Sequence, residues 1–321
     1  MDGIRREKGT GKIMETNFWK KPLNVFLIAF LCCALWGSAA PFIKTGYRLF
    51  QIEGSDTYSI LLFAGLRFFL AGIMVLMVGS LLQKKPLVPH KENVKGIMTL
   101  ALFQTIGQYF FFYVGLAHTS AAKGAILSGT GAFMSLLVAS LLFHYEKLTW
   151  MKVIGCLFGF AGIFVMNLDG FSISTLSFTL LGEGFVLLSQ FSSAMSATFI
   201  KKYTQHQNAV LLSGCQFTLG GLVLILVGIL MGGRLHVVNG QGILVLLYLA
   251  FLSATAYTLW GFLLKYNPVS KIGMFTFLTP ITGVVWSAVL LHEADAFSIN
   301  GIISLILVVV GIYIVNKAKE K

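Results

Sequence analysis

Apolar residues in this chain come in long runs, not in the alternating or every-third-or-fourth patterns of water-soluble elements. Ten such runs stand out: Asn24–Ile43, Tyr58–Leu82, Val94–Leu116, Ala121–Phe143, Trp150–Leu168, Thr179–Ile200, Leu211–Leu230, Gly242–Leu264, Ser270–Leu291 and Ile299–Asn316. Each is about long enough to cross a hydrocarbon core of ~30 Å as a helix. Strands of a closed barrel would alternate between lipid-facing and interior positions. Ile60–Leu66 and Leu305–Val310 do not alternate, which suits helices that satisfy their own backbone polar groups. The pattern predicts an all-α membrane protein of ten transmembrane helices. Its longest loops are expected near Thr45–Thr57 and Gln83–Asn93.

Composition agrees. Of the 321 residues, 56% are hydrophobic and 11% charged, where a soluble domain carries roughly 25% charged residues. The net charge of +12 would ordinarily raise nucleic acid as a partner. Here the cations occupy the short gaps between runs, so they report topology and no nucleic-acid face is expected. With the N-terminus cytoplasmic, the inside gaps hold Lys20, Lys21, Lys84, Lys85, Lys91, Lys95, Lys147, Lys152, Lys201, Lys202, Lys265, Lys271 and the basic tails. The outside gaps hold only Lys44, Arg48, Lys123 and Arg234. That alternation supports both the count of ten and a multi-pass protein of the cell (plasma or inner) membrane with both termini cytoplasmic. The basic start followed by an apolar run also fits a secretory signal, with Gly37-Ser38-Ala39-Ala40 as a cleavage site. The repeat described next argues for a retained helix instead. Cys32, Cys33, Cys156 and Cys215 all fall within runs and read as small core residues.

The chain contains a duplication. Ser120–Glu146 and Ser270–Glu293 each open on a serine placed to cap a helix, with Lys123 or Lys271 close behind, and each closes on a glutamate. The runs that follow end almost identically, Gly162–Asn167 (GIFVMN) and Gly311–Asn316 (GIYIVN). Ser38–Lys44 (SAAPFIK) pairs with Ser196–Lys201 (SATFIK). Gly65-Leu66-Arg67-Phe68 with Ala71-Gly72 pairs with Gly214-Cys215-Gln216-Phe217 with Gly220-Gly221. Each copy holds five helices, so the second enters the membrane upside down, as in transporters built from inverted repeats around a midplane site. The expected organisation is an N-terminal tail (1–22), a first repeat (23–168), an inverted second repeat (169–317) and a short C-terminal tail (318–321), both tails cytoplasmic.

Leu35-Trp36-Gly37, Leu66-Arg67-Phe68, Ala121-Ala122-Lys123, Thr279-Pro280 and the terminal Glu146 and Glu293 together resemble the drug/metabolite transporter superfamily. The resemblance is greatest to the ten-helix bacterial permeases built from two EamA domains, and it covers roughly residues 23–317. It implies a secondary transporter, commonly an exporter of amino acids or other small metabolites, with a central cavity between its halves. The chain departs from the pattern at Gly131, where the first copy lacks the proline that Pro280 supplies in the second.

Intramembrane polar residues supply the candidate chemistry, since each charge there costs a few kcal/mol on insertion scales. Arg67 lies about seven residues into its run, on the order of 10 Å deep. It reads either as a cavity cation for a carboxylate or as an arginine that snorkels or bonds neighbouring carbonyls. Its counterpart is Gln216. Glu183 is a candidate coupling acid, although an acid in a first helical turn also complements the helix dipole, and that reading is preferred. Lys123 and Lys271 oppose the dipole and are candidates to attract anions at the cavity mouths. Glu146 and Glu293 read as structural, capping the next helix or pairing with loop cations. Gln104 and Gln108, four apart on one face, with Tyr109 and Gln190, either line the cavity or tie helices together. Trp36, Trp260 and Thr279 lie within helices and are candidate cavity walls. No extramembrane domain interrupts the runs. Lys8-Gly9-Thr10-Gly11-Lys12 lacks the spacing and the Ser or Thr of a phosphate loop. Transport would therefore run on a gradient, with H+ or an exchanged solute as partner, and no cofactor is expected. A membrane-embedded lipid-modifying enzyme and a non-transporting scaffold are the rival readings. His90, His118, His144, His206, His236 and His292 fall in loops or at run ends, without catalytic or metal spacing. Membrane lipids are the other expected partner, and monomer and homodimer both stay open.

Overall fold

The computed structural model describes residues 17–119, 127–166, 178–236, 240–291 and 299–318. Among them there is no strand. The helices are α1 (Pro22–Leu49), α2 (Thr57–Leu82), α3 (91–117), α4 (Gly131–Leu142), α5 (Trp150–Met166), α6 (180–204), α7 (Ala209–Leu230), α8 (Gly240–Tyr266), α9 (269–291) and α10 (Ile299–Lys317). Five of these segments, α1, α2, α3, α7 and α8, are each long and apolar enough on their own to cross a bilayer. Large apolar side chains are exposed along them, as at Leu27, Leu81, Leu226 and Phe251, which is what a lipid-facing surface requires.

Starts follow local chemistry. Asp56 caps α2 through the Ser59 amide, and Asn208 caps α7 through the amides of Val210 and Leu211. Two expectations change. First, α1 passes its expected end at Ile43 and runs to Leu49, because apolarity marks the membrane and not the helix. Lys44, Thr45 and Arg48 continue the hydrogen-bond ladder until Gln51 takes a positive φ of 54°. Second, Ser270 does not cap α9. Pro268, extended at φ −60° and ψ 142°, precedes the helix, and Ser270 sits inside its first turn.

Several helices are interrupted. π-turns occupy Ala101–Gly107 in α3, Val138–Leu142 in α4 and Leu180–Gly184 in α6, and a 3-10 turn occupies Met274–Phe277 in α9. Residues 129–130, just before α4, also form a turn. The offset that carries Arg67 onto Gln216 carries Thr130-Gly131 onto Thr279-Pro280. The turn at 129–130 thus maps onto 278–279, directly after the 3-10 turn of α9, so the two copies break within a few residues of one another under the repeat, in the region where transporters with inverted repeats bind their cargo.

The same offset organises the contacts. A methyl group at Gly65 would lie 2.9 Å from the Gly221 carbonyl oxygen, and one at Gly72 would lie 2.7 Å from that of Gly214. These are one contact seen twice, since Gly65 maps to Gly214 and Gly72 to Gly221. On the second crossing, a methyl at Gly155 would lie 2.8 Å from the Gly311 oxygen, and one at Gly162 would lie 2.9 Å from that of Ser304. These map onto each other in the same way. Antiparallel α2·α7 and α5·α10 thus cross on a two-fold axis lying in the membrane plane, backbone against backbone. The other helices exchange. α1 packs against α8 and α9 of the second repeat, and α6 packs against α3 and α4 of the first. The fold is two inverted, interlocked five-helix repeats.

One buried ion pair ties the halves at an end of the bundle. Lys152 Nζ is 2.9 Å from Glu146 Oε2, both side chains 3% exposed. Glu146 also accepts from the Ser270 amide (3.2 Å) and from the Ser270 hydroxyl. The carboxylate following α4 therefore holds the first turn of α9, which supports the structural reading of Glu146. Burial pushes its carboxyl up, but the Ser270 hydrogen bonds and Lys152 outweigh this and hold it below its ordinary 4.5. Glu293 and Ser120 lie outside the described residues.

Two expectations follow for the purified protein. Gly221→Ala should lower the melting temperature, because its methyl would meet the Phe69 amide nitrogen at 2.4 Å. Overpacking of this kind costs about 1–3 kcal/mol, whereas Gly54→Ala, with nothing within 4 Å, should be silent. Glu146→Gln should melt below wild type at pH 7. A carboxyl whose folded pKa is depressed contributes its stability above the unfolded pKa and loses it as pH falls through the folded one. The gap between the two proteins should therefore close below pH 4.5, and melting curves across that range check it.

Candidate functional site

Arg67 lies ten residues past Thr57 in α2, about 15 Å along the helix. That is deeper than the seven residues expected from the sequence. The residue is 3% exposed. Its Nε donates to Ser253 Oγ of α8 at 2.8 Å, and Ser253 in turn donates to the Leu249 carbonyl at 2.9 Å. The guanidinium stands 5.2 Å from the Phe68 ring centroid. Tyr47, Tyr109, Tyr113 and Tyr257 all lie within electrostatic reach of its charge. Among the described residues no carboxylate pairs with Arg67, and its two terminal nitrogens make no hydrogen bond.

Aromatic rings continue the site. Tyr109 and Tyr257 join hydroxyl to hydroxyl. Phe68 packs on Tyr109 (4.4 Å between centroids), and Trp36 lies against Tyr257 (5.0 Å) and Trp260 (4.9 Å). The buried Trp36 Nε1 has no hydrogen-bond partner, although indole is a donor only. Gln108 reaches toward the Tyr257 hydroxyl. The structure thus brings Trp36, Arg67, Gln108, Tyr109 and Trp260 together from α1, α2, α3 and α8.

The other candidates lie elsewhere. Gln216, fully buried, donates to Gln104 Oε1 at 3.0 Å and accepts from Thr105 Oγ1 at 2.8 Å. Under the repeat, Gln104 is the counterpart of Ser253, so Gln216–Gln104 and Arg67–Ser253 are the same inter-repeat contact with different chemistry. Gln104 and Gln108 consequently serve different helices, the former α7 and the latter α8. Gln190 Oε1 stands 2.5 Å from where a methyl at Gly131 would be, so Gln190 lies beside the break of the first copy. Thr279 Oγ1 is buried without a hydrogen-bond partner. Glu183 is held by the Thr179 amide (2.8 Å), the Thr179 hydroxyl (2.9 Å) and Thr119 (2.8 Å), a capping arrangement stretched by one residue through the π-turn. Lys271 lines a cavity of about 280 Å³ with Lys152, Pro268, Ser270 and Asn316, at the end of the bundle held by Glu146. Lys123 lies outside the described residues. Tyr47, Tyr113, Ser253 and Tyr257 were not among the expected site residues. Tyr109 and Tyr113, like Ser253 and Tyr257, are four apart, a helical spacing that could have linked them. Among the described residues no three of His, Cys, Asp and Glu gather as a metal site.

A family model described as the EamA-like transporter family matches the chain over residues 23–168 and 180–317. An uncharacterized transporter of Bacillus subtilis, YvbV, is 28% identical over 305 residues, covering 92% of each chain. An uncharacterized transporter of Synechocystis is 27% identical, covering 88% of this chain and 89% of that one. A WAT1-related chloroplastic protein of Arabidopsis thaliana is 25% identical across 78% of this chain, which spans 62% of that protein's length. A solved crystal structure superposes with a TM-score of 0.74 at 18% identity, covering 92% of this chain and 96% of that one, a likeness of fold. With both repeats matched, the chain is a multi-pass membrane protein that belongs to the EamA-like transporter family.

Proposed function

We propose that the protein is a secondary active transporter that exports a small metabolite, an amino acid or similar compound, across the cell membrane by alternating access. The observation that carries this reading is the pairing of two inverted, interlocked repeats with helix breaks a few residues apart under the repeat, just before Gly131 and at Met274–Phe277. Two packings related by the in-plane axis are close in energy by construction, since each contact available to one half has a counterpart in the other. A site near the axis can then open to either side. The cluster of Trp36, Arg67, Gln108, Tyr109 and Trp260 lies where α1, α2, α3 and α8 meet and serves as the substrate site. Gln190 and Thr279 flank the helix breaks. Lys271 meets solutes at the mouth beside the Glu146–Lys152 pair. Glu183 acts as a structural cap and not as a coupling acid. Energy comes from an ion gradient or from exchange.

Comparing metabolite levels inside and outside cells that lack or overproduce the protein tests the reading. Export predicts at least one solute lowered inside and raised outside on overproduction. Turnover of lipid by purified protein without solute movement would instead mark an enzyme. Orientation is tested by labelling single cysteines, placed in a chain whose four native cysteines are replaced, with a membrane-impermeant maleimide. Glu53→Cys should label in intact cells and Lys202→Cys only after permeabilisation. The reverse pattern would invert the topology.

A further inference from the structure

Resting on the transport reading, we propose that the solute carries a monoanionic group of the carboxylate class and that Arg67 binds it, on the first repeat alone. The two repeats supply the comparison. At the same inter-repeat contact the second copy places Gln216, whose amide is satisfied by Gln104 and Thr105. That polar group closes on itself and asks for nothing further. The first copy places a full positive charge there and, among the described residues, gives it only a serine hydroxyl and aromatic rings. Burying a charge without an opposite charge costs several kcal/mol, and a neutral residue at this contact is demonstrably compatible with the fold. An unneutralised guanidinium is retained at the one position where its twin is neutral, so its counter-charge comes from a ligand.

The geometry narrows the class. Nε is committed to Ser253, which leaves the two terminal nitrogens as a planar edge matched to a two-oxygen acceptor. Trp36, whose ring packs on Tyr257, adds a buried donor, Nε1, that lacks an acceptor among the described residues. Donors therefore exceed acceptors, as a site for an oxyanion requires. One positive charge balances one negative charge. A phosphate monoester, carrying about −1.5 to −2 at neutral pH, would exchange an unpaired cation for excess buried negative charge. A carboxylate leaves neither. The faces of Trp36 and Trp260 then hold the apolar body of the solute.

The test compares wild type, Arg67→Gln and Arg67→Lys in the overproducing cells and as purified protein. The solutes exported by wild type should be carboxylic acids or zwitterions. Arg67→Gln should reduce their export about ten- to a hundredfold, the worth of a hydrogen bond to a charged group, and Arg67→Lys should retain part of it. With no ligand added, purified Arg67→Gln should melt at or above the wild-type temperature, because an unpaired buried charge has been removed. An arginine present only for structure would give a lower one. For the acid so identified, wild type should bind it at least tenfold more tightly than its carboxamide, a comparison that holds even where a variant misfolds. Export of neutral or cationic solutes only, equal binding of acid and carboxamide, or undiminished acid export by Arg67→Gln would overturn the proposal while leaving transport standing. If wild type moves no solute at all, transport and this proposal fail together.

Discussion

Backbone contact at two helix crossings is the constraint on which this fold rests. Lipid offers helices no hydrophobic reason to associate, so close approach and dispersion must hold them. At α2·α7 and α5·α10 the approach is so close that a single methyl group would strike a carbonyl oxygen or an amide nitrogen of the partner. Because each crossing lies on the axis relating the repeats, one glycine requirement appears twice per helix. This explains why glycine stands at equivalent positions in both copies, and why the one exception among these four pairs, Ser304 as the counterpart of Gly155, contributes its backbone oxygen against Gly162. The exchange of α1 and α6 between repeats follows from the same axis. A helix that packs only within its own half would leave the halves joined by the two crossings alone.

Symmetry fixes where polar residues can be compensated and leaves open how. The Arg67–Ser253 and Gln216–Gln104 contacts occupy equivalent places, so sterics and depth are matched and only chemistry differs. Three polar side chains hydrogen-bond to one another in one copy. In the other, four tyrosines surround a cation within the membrane core. Phenol hydroxyls soften such a charge through their dipoles but do not neutralise it, and the difference between the copies is therefore electrostatic and not one of packing.

Much of this was legible in the sequence. Uninterrupted apolarity identifies the helices, and matched segments such as GIFVMN and GIYIVN reveal the repeat. Arg67 stood out because charge is rare in such runs. What stayed hidden arises between segments. Apolarity could not place the end of α1, whose last residues are polar yet helical. It could not place the π-turns, which depend on neighbouring helices and not on local propensity. Ser270 looked like a cap because serine commonly is one, but its amide and hydroxyl are claimed by Glu146, more than a hundred residues earlier. The tyrosines escaped notice because each is unremarkable within its own helix. Only the crossing of α1, α2, α3 and α8 turns Tyr47, Tyr109, Tyr113 and Tyr257 into one environment.

The Glu146–Lys152 pair gives the transport reading a physical consequence. Through its bonds to Ser270, Glu146 joins the segment after α4 to the start of α9, the two helices beside or within which the breaks lie. In this state one end of the bundle is fastened by a carboxylate that accepts three hydrogen bonds. Opening that end requires Glu146 to release Ser270, and a carboxylate leaving buried partners regains water only if the cleft it leaves is wide enough to admit it. Opening is then cooperative: a narrow gap strands the charge, and a full separation hydrates it. On the proposed transport cycle, movement of α4 against α9 would then be restricted to closed and fully open arrangements, the behaviour alternating access demands of its gates.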